Sequence, residues 1–415
     1  SQPKQPLIIA FDNDESGRKA IEKIKAKKIE LAERAIKIYF PDVKTLFKGC
    51  KDANELLQKN EFELMAVVDE CNNYEEYERQ AALLQLQKDS VTNAKTIFDE
   101  SIEQSKTGSF IPTGFNNLDS LLEGGLYSGL YIVGAISSLG KTTLCLQIGD
   151  QIAKTGNDVL IFSLEMSKLE LMAKSISRIT SILDIEQSKS NTNAKTTRGI
   201  LTGSRYQRYN AMELELIKKA KDIYFSEYAK HLYIYEGMGN IGVEQVKNRV
   251  ESFKRITGKA PTVIIDYLQI LAPAPENKFM TDKQNTDFNV MQLKRISRDY
   301  NTAVIGISSF NRENYTAPVN MASFKESGAI EYSSDVLIGL QYKAMNDLPK
   351  QEKDVKIKAL EIYSEISEKA RNKQPIEIQL KVLKNRNGNK GAIELEFYPM
   401  FNKFKEPVNK DEWHR

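Results

Sequence analysis

A short turn between an apolar run and a helical pattern constrains the fold of this chain more than any other feature. Residues 134–143 are rich in small side chains and contain Gly140 followed by Lys141 and Thr142. A turn of this kind, placed after a strand and opening a helix, points free backbone amides at a phosphate group. It therefore predicts an α/β fold built on a parallel sheet. Its candidate nucleotide-binding residues are Gly134, Ala135, Ser138, Gly140, Lys141, Thr142 and Thr143.

Two residues of the turn carry the chemistry that a nucleotide site needs. Lys141 is placed to neutralise the β- and γ-phosphates of ATP, and the Thr142 hydroxyl is placed to hold Mg²⁺. The usual pattern has a glycine where Ala135 stands, yet Gly140 still lets the backbone wrap the phosphates. The alternative is an ordinary strand-to-helix turn. The strand and helix patterns on either side favour the nucleotide interpretation, with ATP and Mg²⁺ as cofactors.

Two further apolar runs end in carboxylates. The run at 263–265 ends in Asp266, which is placed to hold the water shell of Mg²⁺. The run at 161–164 is followed by Glu165, where a carboxylate could orient and deprotonate an attacking water. Each has an ordinary explanation when taken alone, because any strand can end in aspartate and a glutamate is common near a helix N-terminus. Beside the phosphate turn, the pair indicates a hydrolytic site.

The remaining pattern is an alternation of strands and helices. Nearly continuous apolar runs are typical of central parallel strands that are covered on both faces. A turn-rich segment at 385–391 lies between two further runs and predicts a hairpin. The predicted strands are 130–134, 158–163, 262–266 and 302–308, and the predicted hairpin strands are 376–383 and 392–397.

Composition excludes several other kinds of site. The 415 residues carry a net charge of +3, which neither demands nor excludes nucleic acid, because basic side chains can concentrate in one groove. Cys50, Cys71 and Cys145 form no CxxC pair, so neither a zinc ribbon nor a disulfide framework is expected, and a reducing cytoplasm is the natural compartment. His231 and His414 are the only histidines, which leaves the chemistry to carboxylates, lysines, arginines and backbone amides. No apolar run reaches the roughly 18 residues that a membrane span needs, so no membrane contact is expected.

In series, these motifs resemble the helicase domain of the DnaB family. The resemblance covers about residues 108–405, and that family also carries a Gly-Ala pair at the phosphate turn, so Ala135 is no departure from it. It implies a RecA-like P-loop NTPase core with ATP and Mg²⁺ bound at Lys141, Thr142 and Asp266 and with Glu165 as general base. The motifs that carry the resemblance are residues 111–119, 134–142, 162–167, 265–269, 325–331 and 384–388.

The resemblance also implies that the site is completed between subunits. Arg386, with Lys384 beside it, would be a catalytic finger that reaches the γ-phosphate of a neighbouring subunit. A homo-oligomer is therefore expected, and by resemblance a hexamer. The alternative for Arg386 is a solvated hairpin tip. One departure is clear: Ser309 stands where the family usually has a glutamine that senses the γ-phosphate, so the coupling of hydrolysis to movement is expected to differ.

Two loops, residues 272–287 and 311–328, are candidates for contact with single-stranded or forked DNA. Both follow strands on the side where ligands gather in parallel sheets. By family likeness, the second loop would line a central pore and grip the sugar-phosphate backbone, which carries no sequence information. The alternative is a pair of surface loops with solvated charges. The candidate DNA-binding residues are Lys325, Glu326, Gly328, Arg312 and Lys283.

The N-terminal region has its own pattern. Residues 1–60 resemble the second half of a TOPRIM domain, in which Asp12 and Asp14 follow a strand and could share Mg²⁺. That fold also needs an upstream glutamate, which this chain begins too late to contain, so a structural remnant or a truncated unit is expected in preference to a live metal site. Residues 61–107 are predicted to be helical and to include a linker helix that docks on its own domain or on a neighbouring subunit. A short tail, residues 406–415, follows the motor domain.

Three functions fit these observations. The first is a ring-forming replicative DNA helicase that moves 5′→3′ on single-stranded DNA, with a primase or a helicase loader among its partners, as the resemblance implies. The second is a primase whose motor only positions it, against which the missing half of the TOPRIM unit argues. A primase-like unit before a DnaB-like motor is the layout of phage primase-helicases and Twinkle. The third is a RecA-like recombination or regulatory ATPase that does not unwind. A bacterial or phage-infected cytoplasm is expected in preference to an organellar nucleoid.

Overall fold

A computed structural model of the chain divides into two compact units, residues 1–107 and residues 108–415. No helix among the described residues is long and apolar enough to cross a membrane. The described residues are 7–26, 38–72, 79–80, 82–84, 86–87, 90–105, 110–237, 241–273, 280–310, 317–324, 328–348 and 352–407.

The first unit contains a two-stranded parallel sheet and a set of short helices. β1 (Leu7–Ile8) pairs in parallel with β2 (Ile38–Tyr39), and α1 (Glu15–Ala26) lies between them in sequence. A small core of Val43, Leu46, Phe47, Cys50, Leu56 and Val67 holds the following helices together. These helices are α2 (Val43–Leu46), α3 (Ala53–Lys59) and α4 (Glu61–Asn72).

The predicted linker segment is helical. A 3₁₀ turn at Val91–Ala94 leads into α5 (Lys95–Ser105), and the Ser90 side chain accepts a hydrogen bond at its start. Phe98 of this helix is 64% exposed. The structure therefore confirms the helix, and its docking surface stays a prediction.

The second unit is built on one large sheet. Its described residues form nine strands in the order β11-β10-β9-β8-β3-β7-β6-β4-β5. The six strands from β8 to β5 in this order are parallel, and the hairpin strands on the other side are antiparallel. The strands are β3 (Gly129–Ala135), β4 (Val159–Ser163), β5 (Leu232–Glu236), β6 (Thr262–Asp266), β7 (Ala303–Ser309), β8 (Val336–Tyr342), β9 (Ile376–Asn385), β10 (Gly391–Tyr398) and β11 (Lys403–Lys405).

Burial follows the kind of strand. β3, β4, β6 and β8 are buried at every position, as expected for parallel strands covered on both faces. β9 alternates between buried and accessible positions, which is typical of antiparallel strands with one solvated face. The predicted mostly parallel α/β fold is confirmed, and each predicted strand falls within a residue or two of an observed one. The sequence pattern missed β5, β8 and β11.

The helices of this unit begin at well-defined caps. Ser167 and Glu170 form a reciprocal capping box at the start of α8, and Thr281 and Gln284 do the same for α12. The helices are α6 (Asn116–Leu121), α7 (Lys141–Lys154), α8 (Lys168–Ser188), α9 (Thr197–Leu201), α10 (Ala211–Ile223), α11 (Val243–Thr257), α12 (Asp282–Asp299), α13 (Gly328–Ser333) and α14 (Glu352–Arg371).

The sheet has two chemically different edges. At one edge, the carboxyl ends of β3, β4, β6 and β7 lie together, because these strands are parallel and in register. At the other edge, the amino ends of β3 and β8 meet the carboxyl end of β9, because β9 is antiparallel to β8. The two edges separate the functional residues described below.

Candidate active site

The turn after β3 has the backbone shape that phosphate binding requires. Gly140 caps α7 with φ +89°, a left-handed conformation that favours glycine, and Ser138 also has a positive φ of 64°. Gly134 has no room for a side chain, because an added Cβ would lie 2.2 Å from the Phe324 ring. The free amides at the start of α7 therefore open toward the carboxyl edge of the sheet.

Lys141 is folded back over this turn. Its Nζ donates hydrogen bonds to the carbonyl oxygens of Ala135 and Ile136, each at 3.1 Å. Burial lowers the pKa of the Lys141 ammonium, while the nearby carboxylates of Asp266 and Glu165 raise it. Two backbone carbonyls are weak competitors for a cation, so the ammonium can turn to a phosphate with little loss.

Asp266 is the buried carboxylate of the site. It is 3% exposed, and no described group donates a hydrogen bond to its Oδ2. Burial raises the pKa of Asp266 from 3.8 to about 6, although the hydrogen bond with the Thr142 side chain lowers it. A buried oxygen without a partner is costly unless a ligand completes it. The Asp266 and Thr142 oxygens fit Mg²⁺, which prefers oxygen ligands and keeps part of its water shell.

Glu165 reaches the same edge from the neighbouring strand. Ser163 is paired with Asp266 in the parallel ladder, and the Leu164 amide donates to the Asp266 carbonyl at 2.8 Å. Glu165 follows immediately and its side chain is exposed at the cavity. Because Ser167 is the N-cap of α8, Glu165 lies two residues before that cap and outside the first turn of the helix.

These groups surround one cavity of ≈ 480 Å³. Of the residues predicted for the nucleotide and its hydrolysis, the cavity wall contains the lysine, the two carboxylates and most of the turn. Gly134 and Ala135 lie beneath it in β3 and are not part of the wall. The lining residues are Ser137, Ser138, Gly140, Lys141, Thr142, Thr143, Glu165, Met166, Lys174, Asp266, Tyr267, Ile307, Ser309, Phe397, Pro399 and Asn402.

Lys174 is a cation in the cavity wall that sequence reasoning missed. It lies on α8, and its Nζ donates to Asn402 Oδ1 at 3.2 Å. Burial lowers the pKa of Lys174, and the carboxylates of Asp266 and Glu165 act in the opposite direction. No local sequence signal marked Lys174, because its place in the wall depends on a partner, Asn402, that lies far along the chain.

The C-terminal strands form part of this wall. Asn402 adopts a left-handed conformation with φ 50°, and its Nδ2 donates to Thr197 Oγ1 at 2.8 Å. Gln147 of α7 exchanges two hydrogen bonds of 2.8 Å with the Phe404 backbone. The rings of Phe397 and Phe404 stack at 4.3 Å beneath Gly140. Residues far apart in sequence therefore fix one side of the nucleotide cavity.

Ser309 ends β7 at the cavity wall. The neighbouring Ser308 hydroxyl accepts a hydrogen bond from Gln269 Nε2 at 3.0 Å, and the Gln269 Oε1 is buried and receives no hydrogen bond from the described residues. The short side chain of Ser309 reaches less far than a glutamine would. The predicted departure from the family pattern thus lies at the nucleotide cavity.

Arg386 and Lys384 lie at the opposite edge of the sheet. The Arg386 amide donates to the Asp335 carbonyl at 2.9 Å, and the Asp335 amide donates to the carbonyl of Leu130, near the start of β3. The phosphate turn follows Ala135 at the other end of that strand. At about 3.3 Å per residue, the five steps from Leu130 to Ala135 span roughly 17 Å. Arg386 is therefore remote from the nucleotide cavity of the same chain.

The Arg386 and Lys384 side chains differ in exposure and in the number of contacts that they make. The Arg386 side chain is 54% exposed, with a single ion pair of 3.5 Å to Asp335. The Lys384 ammonium donates to three backbone carbonyls at the end of α13, those of Glu331 and Ser334 at 2.6 Å and of Tyr332 at 3.2 Å. Three carbonyls use all three donors of the ammonium, so Lys384 caps a helix C-terminus in this conformation.

Two of the five predicted DNA-binding residues lie among the described residues. Lys325, Glu326 and Arg312 lie outside the described residues. Gly328 is exposed at the first position of α13, and Lys283 is exposed in the first turn of α12. The next amide of α13, at Ala329, donates to Asp287 of α12 at 3.3 Å. Their contact with DNA stays a prediction.

The N-terminal carboxylates are arranged for local structure. Asp14 Oδ1 accepts a hydrogen bond from the Gly17 amide at 2.8 Å, and the Lys51 ammonium lies 4.0 Å from Asp14 Oδ2. No group of three or more histidine, cysteine, aspartate or glutamate side chains among the described residues could hold a metal ion. Asp12 and Asp14 as a metal pair stay a prediction. The three cysteines are free, as expected.

A strand, a phosphate turn, a helix and two carboxylates at one edge of a parallel sheet define a P-loop NTPase of the RecA type. The profile of the DnaB-like helicase C-terminal domain matches residues 110–406. The chain therefore belongs to the DnaB-like helicase family.

Relatives and solved structures agree with this family. The chain is 27% identical over 340 residues to the replicative DNA helicase DnaB of Helicobacter pylori, covering 76% of this chain and 64% of the relative. It is 29% identical over 299 residues to that of Geobacillus stearothermophilus, covering 71% and 56%. The chain thus spans less than two thirds of the length of these curated relatives.

Two solved structures share the fold. The first, the structure of an ATPase domain, aligns with a TM-score of 0.60 at 20% identity, over 77% of this chain and 99% of that one. A DnaB-like replicative helicase, from a structure that concerns its interactions with primase, aligns with a TM-score of 0.57 at 18% identity. That second alignment covers 87% of this chain and 81% of the other.

Proposed function

We propose that this chain is the ATP-hydrolysing motor of a ring-forming replicative DNA helicase. The observation that carries the proposal is the separation of the two halves of a hydrolytic site. The phosphate turn and its carboxylates lie at the carboxyl edge of the sheet, and the half-exposed Arg386 lies at the other edge. A neighbouring copy that presents its Arg386 edge to the nucleotide edge of the next would complete each site.

The residues at the nucleotide edge divide the chemistry between them. Lys141 turns from the backbone carbonyls to the β- and γ-phosphates, and Thr142 and Asp266 hold Mg²⁺. Bound Mg²⁺ supplies charge neutralisation at the phosphate oxygens. Glu165 orients the attacking water and accepts its proton. Arg386 of the adjoining subunit stabilises the charge that develops on the transferred phosphoryl group, an effect of about 10³–10⁵ in rate.

The partners follow from this arrangement. Head-to-tail contact between a nucleotide edge and an Arg386 edge is a heterologous interface, which forms a ring where the rotation between subunits closes and a helical filament where it does not. We propose a homo-oligomer, a hexamer by family likeness, that moves 5′→3′ on single-stranded DNA in its central pore. Lys325, Glu326 and Gly328 would grip the DNA backbone, and Arg312 and Lys283 are further candidate contacts. A primase or a helicase loader would act with it, as in replication.

One observation favours a second candidate, a RecA-like ATPase that binds DNA without unwinding it. Ser309 stands at the cavity wall where the family has a longer, γ-phosphate-sensing glutamine. Coupling between hydrolysis and movement could therefore be weakened. A forked-duplex assay distinguishes the two: ATP-dependent strand separation supports the helicase, and DNA-stimulated hydrolysis without separation supports the alternative.

Mixed assemblies test the completion of the site between subunits. Arg386→Ala should bind ATP and assemble normally but turn over about 10³-fold more slowly, since only the finger is lost. Lys141→Ala subunits, inactive by themselves, still carry the finger. Mixing the two inactive variants should restore turnover, measured as phosphate release, at sites where an Arg386→Ala subunit receives a neighbour's arginine.

Two outcomes would contradict the proposal. Full activity of the wild-type chain as a monomer at high dilution would show that each subunit contains a complete site. Normal turnover by Arg386→Ala would remove this residue from the site.

A further inference from the structure

A buried carboxylate lies at the base of the Arg386 segment. Asp335 is 3% exposed and directly precedes β8. Its Oδ2 accepts hydrogen bonds from the Leu130 amide at 2.7 Å and from Lys294 Nζ at 2.5 Å, and its Oδ1 accepts from the same ammonium at 2.7 Å. The carboxylate is therefore strongly held by α12 and β3.

The backbone fixes its place as well. The Asp335 amide donates a hydrogen bond to the Leu130 carbonyl, and the Asp335 carbonyl accepts one from the Arg386 amide. An added Cβ at Gly129 would lie 2.9 Å from Asp335 Oδ2, which shows how closely the carboxylate packs against β3. Arg386 thus emerges from the hairpin beside a charge that has little freedom to move.

The carboxylate holds its two cations unequally. Lys294 forms the short, double contact, and the Arg386 guanidinium makes one contact at 3.5 Å. A single long contact leaves most of the guanidinium's donors available, and its side chain is 54% exposed. Because Lys294 already neutralises Asp335, the carboxylate orients the Arg386 side chain but leaves its positive charge available to another partner.

We propose that Asp335 is a positioning residue that aims Arg386 at the neighbouring subunit, and that Lys294 keeps this hold weak enough for the arginine to act there. The inference rests on the proposed function, in which Arg386 is the finger. It has a specific consequence: the loss of Lys294 must slow turnover only while Asp335 is present to hold the arginine back.

A double-mutant cycle in the full chain tests this consequence. Lys294→Met leaves the buried carboxylate to Arg386 alone, so the arginine should be withdrawn and kcat for ATP should fall about tenfold with KM unchanged. Asp335→Asn removes the attraction and should lower kcat only about threefold, because the backbone still directs the arginine. Lys294→Met/Asp335→Asn should recover kcat to the level of Asp335→Asn, although independent effects would multiply to about thirtyfold.

Controls separate this inference from a loss of folding or of the finger itself. Lys294→Arg retains the charge and should turn over within about twofold of wild type, and thermal melting and assembly size should be measured for every variant. If Lys294→Met does not fold, Asp335→Asn in the Lys141→Ala background decides the matter. Subunits that carry both Lys141→Ala and Asp335→Asn should restore less turnover to Arg386→Ala subunits than subunits that carry Lys141→Ala alone.

If Lys294→Met/Asp335→Asn turns over as slowly as Lys294→Met or more slowly, the positioning role is wrong. It is also wrong if Lys141→Ala subunits restore the same turnover with and without Asp335→Asn. Normal turnover by Arg386→Ala would instead overturn the proposed function. The two failures are therefore distinguishable.

Discussion

Two aspartates at opposite edges of the sheet are equally buried and differ in almost every other respect. Asp266 follows β6 at the nucleotide edge and Asp335 precedes β8 at the Arg386 edge, and each is 3% exposed. No described group donates a hydrogen bond to Oδ2 of Asp266, and burial raises its pKa to about 6. Both oxygens of Asp335 are bonded to Lys294, and Oδ2 also accepts from an amide.

The two carboxylates therefore differ in hydrogen bonding: one oxygen of Asp266 has no partner among the described residues, whereas both oxygens of Asp335 have partners within the fold. Burying a carboxylate without partners costs free energy, and a protein retains such a group where binding repays the cost. A buried carboxylate with an ammonium and an amide is already satisfied, so its role is to orient its neighbours. The number of hydrogen-bond partners, and not burial, therefore distinguishes Asp266, which we propose binds Mg²⁺, from Asp335, which we propose positions Arg386.

The largest expected effect concerns the two residues that act beside Asp266. Lys141→Ala should lose nucleotide binding and turnover together, because it removes the cation that neutralises the phosphates. Glu165→Gln should keep nucleotide binding and lose about 10²–10⁴ in turnover, because it removes only the base. Equilibrium binding of a fluorescent nucleotide and steady-state phosphate release measure the two quantities. Hydrolysis by Glu165→Gln at the wild-type rate would show that the base lies elsewhere.

A smaller effect, of opposite sign at the two edges, concerns stability. Without nucleotide at pH 8, Asp266→Asn should raise the free energy of unfolding by about 2 kcal/mol, because it removes a poorly solvated charge. Asp335→Asn should lower it by about 2 kcal/mol, because it leaves Lys294 without its counter-charge. Urea denaturation followed by circular dichroism measures both. Destabilisation by both variants would contradict the predicted difference between Asp266 and Asp335.

The smallest effect is a pH dependence that belongs to Asp266. Since burial raises the pKa of Asp266 from 3.8 to about 6, its contribution to stability is present below about pH 4 and is lost as the pH rises through 6. Mg²⁺ needs the ionised form, so the affinity for Mg²⁺-nucleotide should rise about tenfold per pH unit up to about 6 and then level off. Fluorescence titration from pH 5 to pH 8 checks this.

Asp266→Asn is the matched control for the titration, because its weaker binding should not follow this curve. Nucleotide binding measured without Mg²⁺ should also lack the rise. An identical pH profile in the wild type and in Asp266→Asn would assign the titration to another group.

Much of the nucleotide edge could be predicted from short stretches of sequence. Gly140, Lys141 and Thr142 are consecutive, and their turn is defined by the strand before it and the helix after it. Asp266 and Glu165 each end an apolar run, and parallel strands bring such ends to one edge. β8 was missed although it is fully buried, because periodicity alone does not distinguish a short, continuous apolar run from a buried helical segment.

Tertiary structure alone decided the rest. Lys174 enters the cavity because Asn402, far along the chain, accepts its hydrogen bond, and no local pattern records that pairing. Asp335 looks like an ordinary strand-start residue until Lys294 and Arg386 are seen beside it. Turn chemistry and strand periodicity depend on neighbours in sequence, so the sequence by itself determined the phosphate turn and the parallel sheet. Burial, pKa and the partners of a charge depend on neighbours in space, so only packing decided that Asp266 has an oxygen without a hydrogen-bond partner and that Asp335 is bonded to Lys294 and lies beside Arg386.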